Sequence, residues 1–379
     1  MEFVAQKEDL KIALSVVSLA TDDTPDIIWS HALFKKDGDS IKLFSTNKDK
    51  IAFATCSVTD GQGDDVEFTA DPKKLGALLA SSDMELIRLV YEGENKTLHV
   101  YASENKSSYL SFPSFDASDF LSFEEKLQKA QEIKRINAGI FLAGIRFIQG
   151  FLPPDDRNQK FARMYIDKGV IYGSNGANKI GAYQSPELDD LEELIVRRPM
   201  LSPLANMIDR TNPPDVIVLD TGKQTAIITS DRHYGFGFLK VTDQMIKFPI
   251  KTDRPESDSF NVDRNLMLKK LNRLAIASSG ELGIKSKLTE MGLEMSTLTE
   301  RPSVENMDIK RLSGEDDMEF VVDYKLAKTV LSLFHASNID VFLDESKCTV
   351  WSEAELEIHE EGQEQPTKKA FKAIGLISL

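Results

Sequence analysis

Apolar residues recur at helical spacing in six segments of the chain, and a short strand-like run precedes each of them. The six predicted helices are residues 7–20, 71–82, 137–150, 197–210, 263–279 and 323–336. Alternate members of this series begin 126 to 130 residues apart, and one third of the 379 residues is about 126. The spacing therefore predicts three equal units that fill the chain.

Three strand-like runs follow each predicted helix, with turn residues such as Asp37-Gly38-Asp39 between them. In the first third the runs are 28–36, 40–46 and 50–58, then 85–91, 96–102 and 107–112. The repeating element is strand–helix–three strands, used twice in each third. This pattern predicts an α+β fold whose antiparallel sheets bury one face against helices, with domains at 1–125, 126–253 and 254–379.

Some tracts interrupt the apolar pattern. Residues 116–129 and 251–257 are polar and are predicted to be linkers. Residues 353–369 are acidic and poor in apolar side chains, which favours a long exposed hairpin loop. Residues 303–311 are predicted to form a single strand.

The chain is acidic overall, with 46 Lys and Arg against 61 Asp and Glu and a net charge of −15. This balance argues against a protein whose whole surface coats nucleic acid, although it leaves room for a local basic face. The two cysteines, Cys56 and Cys348, form neither a disulfide framework nor a Cys-based metal site, and they fit a reducing compartment. The N-terminal residues lack the apolar core of a signal peptide, and the longest apolar stretch is far shorter than the ~20 residues of a membrane span. We therefore expect a cytoplasmic protein with no membrane partner.

Basic residues concentrate in the six predicted helices. These segments, with two residues just ahead of the third, hold sixteen Lys and Arg but only six acids, which leaves a net charge of −25 elsewhere. The basic residues are Lys7, Lys11, Lys73, Lys74, Lys134, Arg135, Arg146, Arg197, Arg198, Arg210, Arg264, Lys269, Lys270, Arg273, Lys325 and Lys328. One interpretation is that these are ordinary solvated helix faces. The other is that the helices converge on one surface that faces a polyanion.

Motifs for catalysis and cofactor binding are missing from the sequence. No Gly-x-x-x-x-Gly-Lys-Ser/Thr loop occurs, and the glycine-rich segment 173–176 fits a turn between strands. His359 has no second histidine at zinc-ligand spacing, and Ser230 and His233 fit a hairpin turn better than a triad. The sequence predicts a protein that is not an enzyme and that needs no cofactor or metal.

Four segments carry a resemblance to a known family: FTADPKKL at 68–75, FNVDRNLMLKKL at 260–271, MEFVVDYKL at 318–326 and IGLISL at 374–379. With the threefold repeat and the cationic helices, the chain resembles the bacterial DNA polymerase III beta subunit, the sliding clamp. It departs from the family at 174–180 (SNGANKI, where Thr-Asp-Gly-His-Arg-Leu is usual) and at the C-terminus, which lacks Met-Pro-Met-Arg-Leu. These departures suggest the hypothesis of a divergent, phage-encoded member.

The resemblance implies a ring of two chains joined head to tail, with helices lining a central hole and sheets outside. The implied partners are double-stranded DNA, bound without sequence preference, a DNA polymerase, a clamp loader and a second copy of the chain. A ring is retained on DNA by topology, so each basic contact can stay weak and independent of sequence.

The resemblance also implies two protein-binding surfaces. The dimer interface would involve Lys74, Leu75, Leu78, Leu110 and Phe112 on one side and Ile276 and Ala277 on the other. A pocket for short peptides of partner proteins would include Phe161, Ala177, Ile180, Pro249, Ile374, Leu376, Ile377 and Leu379. The alternative is that Leu75 and Leu78 are core residues at i and i+3, and that half of the C-terminal strand faces the core.

Two other functions remain open at this point. One is a monomeric three-domain protein-binding scaffold with no DNA encirclement. The other is a hydrolase with an unrecognised site. The mass in solution separates a ring from the monomeric scaffold, because the ring is a dimer of a 42.4 kDa chain.

Overall fold

The computed structural model describes the chain except for residues 1, 25–26, 48, 63–65, 103–107, 121–122, 156–157, 192, 279–282, 291, 315–316, 345, 359–365 and 379. It confirms the α+β class and the sixfold repeat of strand, helix and three strands. Among the described residues, no helix is long and apolar enough to cross a membrane.

The first third contains two copies of the repeat. The elements of the first copy are β1 (Glu2–Gln6), α1 (Lys7–Val17), β2 (Ala32–Asp37), β3 (Ser40–Thr46) and β4 (Lys50–Gln62). Those of the second are β5 (Glu67–Ala70), α2 (Pro72–Ala80), β6 (Leu86–Glu92), β7 (Thr97–Tyr101) and β8 (Leu110–Pro113). The first predicted helix ends in a 3₁₀ turn at Ser18–Ala20.

The middle third begins with an unpredicted short helix, α3 (Glu124–Gln128). The next elements are β9 (Gln131–Asn137), α4 (Ala138–Gln149), β10 (Arg163–Asp167), β11 (Val170–Ser174) and β12 (Lys179–Gln184). The second copy consists of β13 (Leu194–Arg197), α5 (Arg198–Thr211), β14 (Asp215–Asp220), β15 (Gln224–Thr229) and β16 (Tyr234–Leu239).

The last third repeats the pattern with one change. Its first copy consists of β17 (Asp258–Asp263), α6 (Arg264–Ala277), β18 (Gly283–Thr289), β19 (Gly292–Thr297), β20 (Val304–Met307) and β21 (Lys310–Ser313). Its second copy consists of β22 (Met318–Asp323), α7 (Tyr324–Leu333), β23 (Asn338–Asp344), β24 (Lys347–Ile358) and β25 (Thr367–Ser378).

An aspartate at the same place in the repeat starts three of these helices. The side chain of Asp71 accepts hydrogen bonds from the backbone N–H groups of Lys73 and Lys74, at 2.9 and 3.1 Å. Asp263 and Asp323 cap α6 and α7 in the same way. Each carboxylate satisfies backbone donors that the first helical turn leaves free, which fixes the point where strand becomes helix.

The chain forms two compact units. The first unit contains Met1–Ala138 and Pro199–Val241, and the second contains Gly139–Arg198 and Thr242–Leu379. The middle third of the sequence therefore contributes to both units. The division into domains 1–125, 126–253 and 254–379 remains a prediction.

The first unit is built on a sheet of twelve strands. Its main path is β8-β7-β6-β1-β4-β16-β15-β14-β9. Three more strands branch from β4: β3 pairs with β4, β2 pairs with β3, and β5 pairs with β2. Helix α1 packs on α2 and on β4. A stack of buried rings forms the core, with the ring centres of Phe34 and Phe68 4.9 Å apart and those of Phe68 and Tyr91 also 4.9 Å apart.

The second unit contains two sheets. A nine-stranded sheet has the order β13-β10-β11-β12-β25-β24-β23-β17-β21, and a four-stranded sheet has the order β20-β19-β18-β22. Gly181 and Gly375 lie opposite each other beneath the buried ring of Phe151. A Cβ on Gly181 would lie 2.4 Å from that ring, so the close packing of Phe151, in the turn after α4, on the sheet requires glycine there.

Two local predictions are wrong. The described ends of the tract 353–369 are strand, because β24 continues to Ile358 and β25 starts at Thr367; the part of the predicted loop at 359–365 lies outside the described residues. Its glutamates alternate with Ala354 and Leu356, which is the period of a strand, and Glu355 meets Lys368 across the hairpin at 3.5 Å. The predicted strand 303–311 is divided into β20, which pairs with β19, and β21, which pairs with β17.

Candidate nucleic-acid and partner interfaces

Three helices of the first unit bring basic residues to one groove. Lys11 on α1, Lys73 on α2 and Arg210 on α5 line a cavity of about 550 Å³, together with Glu8, Ser15 and Ser18. Arg210 also donates through Nη1 to the backbone oxygen of Ser15, at 3.1 Å, which links α5 to α1. The structure therefore brings three residues of the predicted DNA-facing set together.

The other basic residues of the first unit differ in their positions. The Nζ of Lys7 donates to the backbone oxygen of Ser82 at 3.2 Å, and Lys74 lies 3.6 Å from the carboxylate of Asp71. Lys134 and Arg135 are neighbours on β9, so their side chains point to opposite faces of the sheet. At most one of these two can therefore belong to the surface that carries the helices.

In the second unit the basic residues of α6 divide into two groups. Lys270 and Arg273 both contact the carboxylate of Glu305 on β20, at 3.0 and 3.4 Å. These two cations hold the pKa of Glu305 below its usual value, chiefly through the hydrogen bond from Lys270. Only 14% of the Lys270 side chain is exposed, so this residue is turned toward the sheet, whereas Lys269 faces solvent.

The remaining predicted DNA-facing residues of the second unit are exposed or half-buried. Lys325 and Lys328 are exposed and lie one turn apart on α7, which packs on α6. Arg146 is exposed on α4, while Arg197 and Arg198, at the passage from β13 to α5, are half-buried. Arg264 at the start of α6 is half-buried and donates to Asn265 at 2.9 Å.

Two strands that end their sheets lie on or beside residues of the predicted dimer interface. Strand β8 carries the predicted Leu110 and Phe112, and β20 packs against α6, which carries the predicted Ile276 and Ala277. In the described residues β8 pairs only with β7, and β20 pairs only with β19. Leu110 is 52% exposed and Ile276 88%, and two residues outside the predicted set, Tyr109 beside β8 and Val304 on β20, are 50% and 49% exposed. Exposed apolar side chains at an open strand edge are typical of a surface that another chain covers.

The other members of the predicted interface set are less uniform. Lys74 is exposed, and Leu78, Phe112 and Ala277 are half-buried. Leu75 is only 1% exposed and packs in the core with Leu79, one helical turn away, so it is not available to a second chain. The alternative interpretation from the sequence, that Leu75 is a core residue, is the one the structure supports.

The predicted peptide pocket lies on one face of the nine-stranded sheet. Ile180 on β12 is directly opposite Leu376 on β25, and Ile374 lies two residues further along the same face. Ile374 and Leu376 pack in one apolar cluster with Trp351, Ile250 and the half-buried Ile180. Leu376 is 9% exposed, so this face is largely covered.

The other predicted pocket residues differ in their exposure. Ala177 and Pro249 are exposed, and Phe161 is half-buried. The Phe161 ring lies over Gly176, whose φ of +76° and lack of a Cβ permit the turn at that point. Ile377 alternates with Leu376 and is on the opposite, helix-facing side, 1% exposed, so the structure does not bring it to the pocket face. Leu379 is outside the described residues.

Solved structures match this architecture over its whole length. No protein-family model matches the sequence, and neither does any curated protein. The DNA polymerase III beta subunit of Pseudomonas aeruginosa matches with a TM-score of 0.78 and 16% identity over 100% of both chains. The Helicobacter pylori beta clamp in complex with diflunisal gives 0.78 and 15%, also over 100% of both chains. The Thermotoga maritima beta subunit gives 0.77 and 14%, over 100% of this chain and 99% of that one.

The chain has the sliding-clamp fold. This finding confirms, at the level of architecture, the resemblance drawn from the sequence. At such identities a match establishes the fold, and the function has to be argued from the surfaces that the fold presents.

The sequence predicts only Pro249 from a longer segment that crosses the pocket face. Residues 242–250 have no helix or strand, but Asp243 binds Arg163 at 2.6 Å, which fixes one end. At the other end Phe248 packs against the rings of Tyr165 and Tyr172, with centre distances of 5.5 and 6.2 Å. The apolar triplet 248–250 inside a polar stretch was the available signal for it.

The described residues contain no group of three His, Cys, Asp or Glu side chains placed to hold a metal ion.

Proposed function

We propose that the chain is a DNA sliding clamp: a non-enzymatic, ring-forming homodimer that encircles duplex DNA and tethers a polymerase. The observation that carries this proposal is the pair of open strand edges, β8 and β20. Two strand pairings inside the chain join strands that hold the same place in the repeat as these two edges.

In each of these pairings, both strands are the last of the three strands that follow the helix in their copy of the repeat. One strand comes from the first copy in its third of the chain, and the other comes from the second copy in the next third. The pairs are β4 with β16 and β12 with β25. By its place in the repeat, β20 should find an equivalent partner, and so should β8. A second chain placed head to tail supplies both, since its β8 meets β20 of the first chain and its β20 meets β8.

Such a contact joins two different patches, and two identical contacts close a ring of two chains. The exposed side chains at the edges, Leu110 and Tyr109 on one side and Val304 and Ile276 on the other, supply apolar surface for it. The alternative, a monomeric scaffold, leaves both edges and these side chains in water.

The basic helices support DNA as the encircled partner. Phosphate contacts give affinity without sequence information, and they weaken steeply as salt rises. A closed ring is retained by topology, so its contacts can be weak enough to permit sliding. The excess of acidic residues elsewhere in the chain opposes binding of DNA at other surfaces.

The polymerase and a clamp loader are proposed to dock on the pocket face around Ile180 and Leu376. Exposed Pro249 lies between Phe248 and Ile250 of this apolar cluster, so a short peptide can add its own apolar side chains there. A protein with this role works beside the chromosome, which places it in the cytoplasm of a bacterial or phage-infected cell. No step of the role requires catalysis or a cofactor.

Encirclement can be tested without knowing the loader. The protein is incubated with linear duplex, so that closed rings thread over the ends, and the DNA is then ligated into circles. A high-salt wash removes protein held only by charge. We expect protein to remain on the circles and to be released when a restriction enzyme cuts them. Equal release from circular and cut DNA would contradict encirclement, and a mass of 42.4 kDa in solution would favour the monomeric scaffold.

A further inference from the structure

The groove between α1, α2 and α5 combines three cations from three different helices in a cavity of about 550 Å³. The hydroxyl groups of Ser15 and Ser18 donate to the backbone oxygens of Ile12 and Leu14, so the donors that the groove can offer to a phosphate are its cations. Cations converging on one concave surface are suited to a phosphate group.

Each cation of the groove already has an acceptor from the chain itself. Lys11 lies 3.3 Å from the carboxylate of Glu8, and Arg210 donates to the backbone oxygen of Ser15. Lys73 lies 2.6 Å from the carboxylate of Asp23 and donates to the backbone oxygen of Asp22 at 3.3 Å. The groove is therefore partly neutralised before any ligand arrives.

Asp23 differs from Glu8, the other carboxylate that accepts from a cation of the groove, because it lies outside the three helices. It lies on the segment that follows the 3₁₀ turn Ser18–Ala20, fifty residues before Lys73 in the sequence. Its side chain is fully exposed apart from this contact, so it has no packing role. The hydrogen bond from the Lys73 ammonium group holds the pKa of the Asp23 carboxyl below its usual range, as expected for a carboxylate paired with a lysine.

We propose that this groove binds a backbone phosphate of duplex DNA, and that Asp23 is an internal counterion which the phosphate must displace from Lys73. The proposal rests on the proposed function. Because the phosphate has to replace the carboxylate of Asp23 at Lys73, it binds more weakly than it would bind a lysine without a counterion. When the phosphate leaves, Lys73 pairs with Asp23 again. Asp23 is thus a positioning residue that lowers the affinity of the lining, as a ring that slides requires.

The test compares Asp23→Asn with the wild type. Binding of a fluorescent, blunt-ended duplex is measured by anisotropy over a series of NaCl concentrations. Loss of the counterion frees Lys73, so we expect about two- to fivefold tighter binding at low salt. The slope of log K against log salt should become steeper by up to about 0.9, the effect of one additional phosphate contact. Asp23→Glu should restore the wild-type affinity and slope, because it restores the carboxylate.

Two control variants separate this effect from a change in net charge. Asp39→Asn removes one exposed acid at the turn between β2 and β3, in the same unit, and should leave the slope unchanged. The double variant Asp23→Asn, Lys73→Ala should lose the gain of the single variant. A wild-type slope in Asp23→Asn, or a gain that persists without Lys73, would overturn the proposal.

A further arm distinguishes DNA from free phosphate. Inorganic phosphate replaces chloride at matched ionic strength, and binding is followed by the chemical shifts of the lysine side chains. If phosphate alone saturates the groove and the duplex gains nothing from Asp23→Asn, the site serves a free anion and the proposal is overturned. Failure of the wild type to remain on circular DNA would instead reject the proposed function, so the two failures are distinguishable.

Discussion

The joint between two chains can be predicted residue by residue from the joints inside one chain. In the β4–β16 pairing Phe53 lies opposite Gly235, and in the β12–β25 pairing Ile180 lies opposite Leu376. The equivalence is read from the preceding strand of each copy. Phe53, Ile180 and Val304 pair with Phe44, Ser174 and Ser296, and each of these partners lies four residues after the first residue of its own strand, Ser40, Val170 or Gly292. Val304 therefore takes the place of Phe53 and Ile180. We therefore expect Val304 to lie at the centre of the joint.

The partner position follows from the same comparison. When the core-facing residues of β8 are aligned with those of β16, Tyr109 corresponds to Gly235. When they are aligned with those of β25, Ser111 corresponds to Leu376. The two internal joints differ in register by two residues, so Val304 should lie opposite Tyr109 or Ser111 of the second chain. Leu110, between them, points to the other face of the sheet.

The perturbation is a pair of cysteines, Val304→Cys with either Tyr109→Cys or Ser111→Cys. Directly opposed residues of antiparallel strands have Cα atoms about 4.5–5.5 Å apart. A disulfide spans Cα distances of about 4.4–6.8 Å, so one of the two pairs should oxidise readily. The control, Val304→Cys with Leu110→Cys, presents its thiols on opposite faces and should not form the bond.

The native cysteines do not interfere with this assay. Cys56 and Cys348 are both buried, and burial raises the pKa of each thiol to about 12. At neutral pH they remain protonated and inert to oxidants. A native-cysteine chain treated in parallel should therefore stay uncrosslinked.

The readout is a non-reducing gel after mild oxidation, together with the mass of the untreated protein in solution. We expect a covalent dimer that reductant converts to monomer, from one of the two opposed pairs and not from the control. A protein that is dimeric by mass but forms no crosslink with either pair would refute the use of the internal joints as a template. Equal crosslinking of the Leu110 control would refute the assignment of faces.

Three further predictions follow from the surfaces and the core. Reversal of Lys325 and Lys328 to Glu should shorten retention on circular DNA and leave the melting temperature unchanged, because both side chains are exposed; unchanged retention would remove them from the lining. Leu376→Ala should reduce stimulation of the cognate polymerase while the protein stays dimeric, and full stimulation would place the docking site elsewhere. Gly181→Ala should lower the free energy of unfolding by about 1–3 kcal/mol, measured by denaturant titration, because its Cβ would overlap the Phe151 ring; wild-type stability would mean that the ring can move aside.

The sequence predicted the repeat well because its signals are local. Apolar periodicity located the six main helices, and the aspartates at positions 71, 263 and 323 marked where three of them begin. The tract 353–369 was misjudged because its composition was weighed instead of its period. Its acids alternate with Ala354 and Leu356, and alternation predicts a strand whatever the charge of the outer face.

The surfaces were harder to predict for two reasons. The face on which a strand residue lies depends on the register of its strand, and the contacts of a side chain can be with residues distant in the sequence. Ile377 and Leu376 are equally apolar, and only the register against β12 decides which of them faces the pocket. The contact of Lys270 with Glu305 joins residues 35 positions apart, so no local pattern could show that this lysine turns away from solvent. The same holds for Asp23 and Lys73 in the groove.

The energetics of the proposed joint favour closed rings over open chains. The apolar side chains at each joint are about half-exposed or more, and their burial is worth about 1–2 kcal/mol each, or roughly 4–8 kcal/mol for the four of them. Association of two proteins costs about 4–15 kcal/mol in lost freedom, so one joint alone is marginal. The second joint closes within an already associated pair and does not incur that cost again. Two chains should therefore be found as free monomers or as closed rings, with few open dimers, and a loader needs to break only one joint to admit DNA while the other holds the chains together.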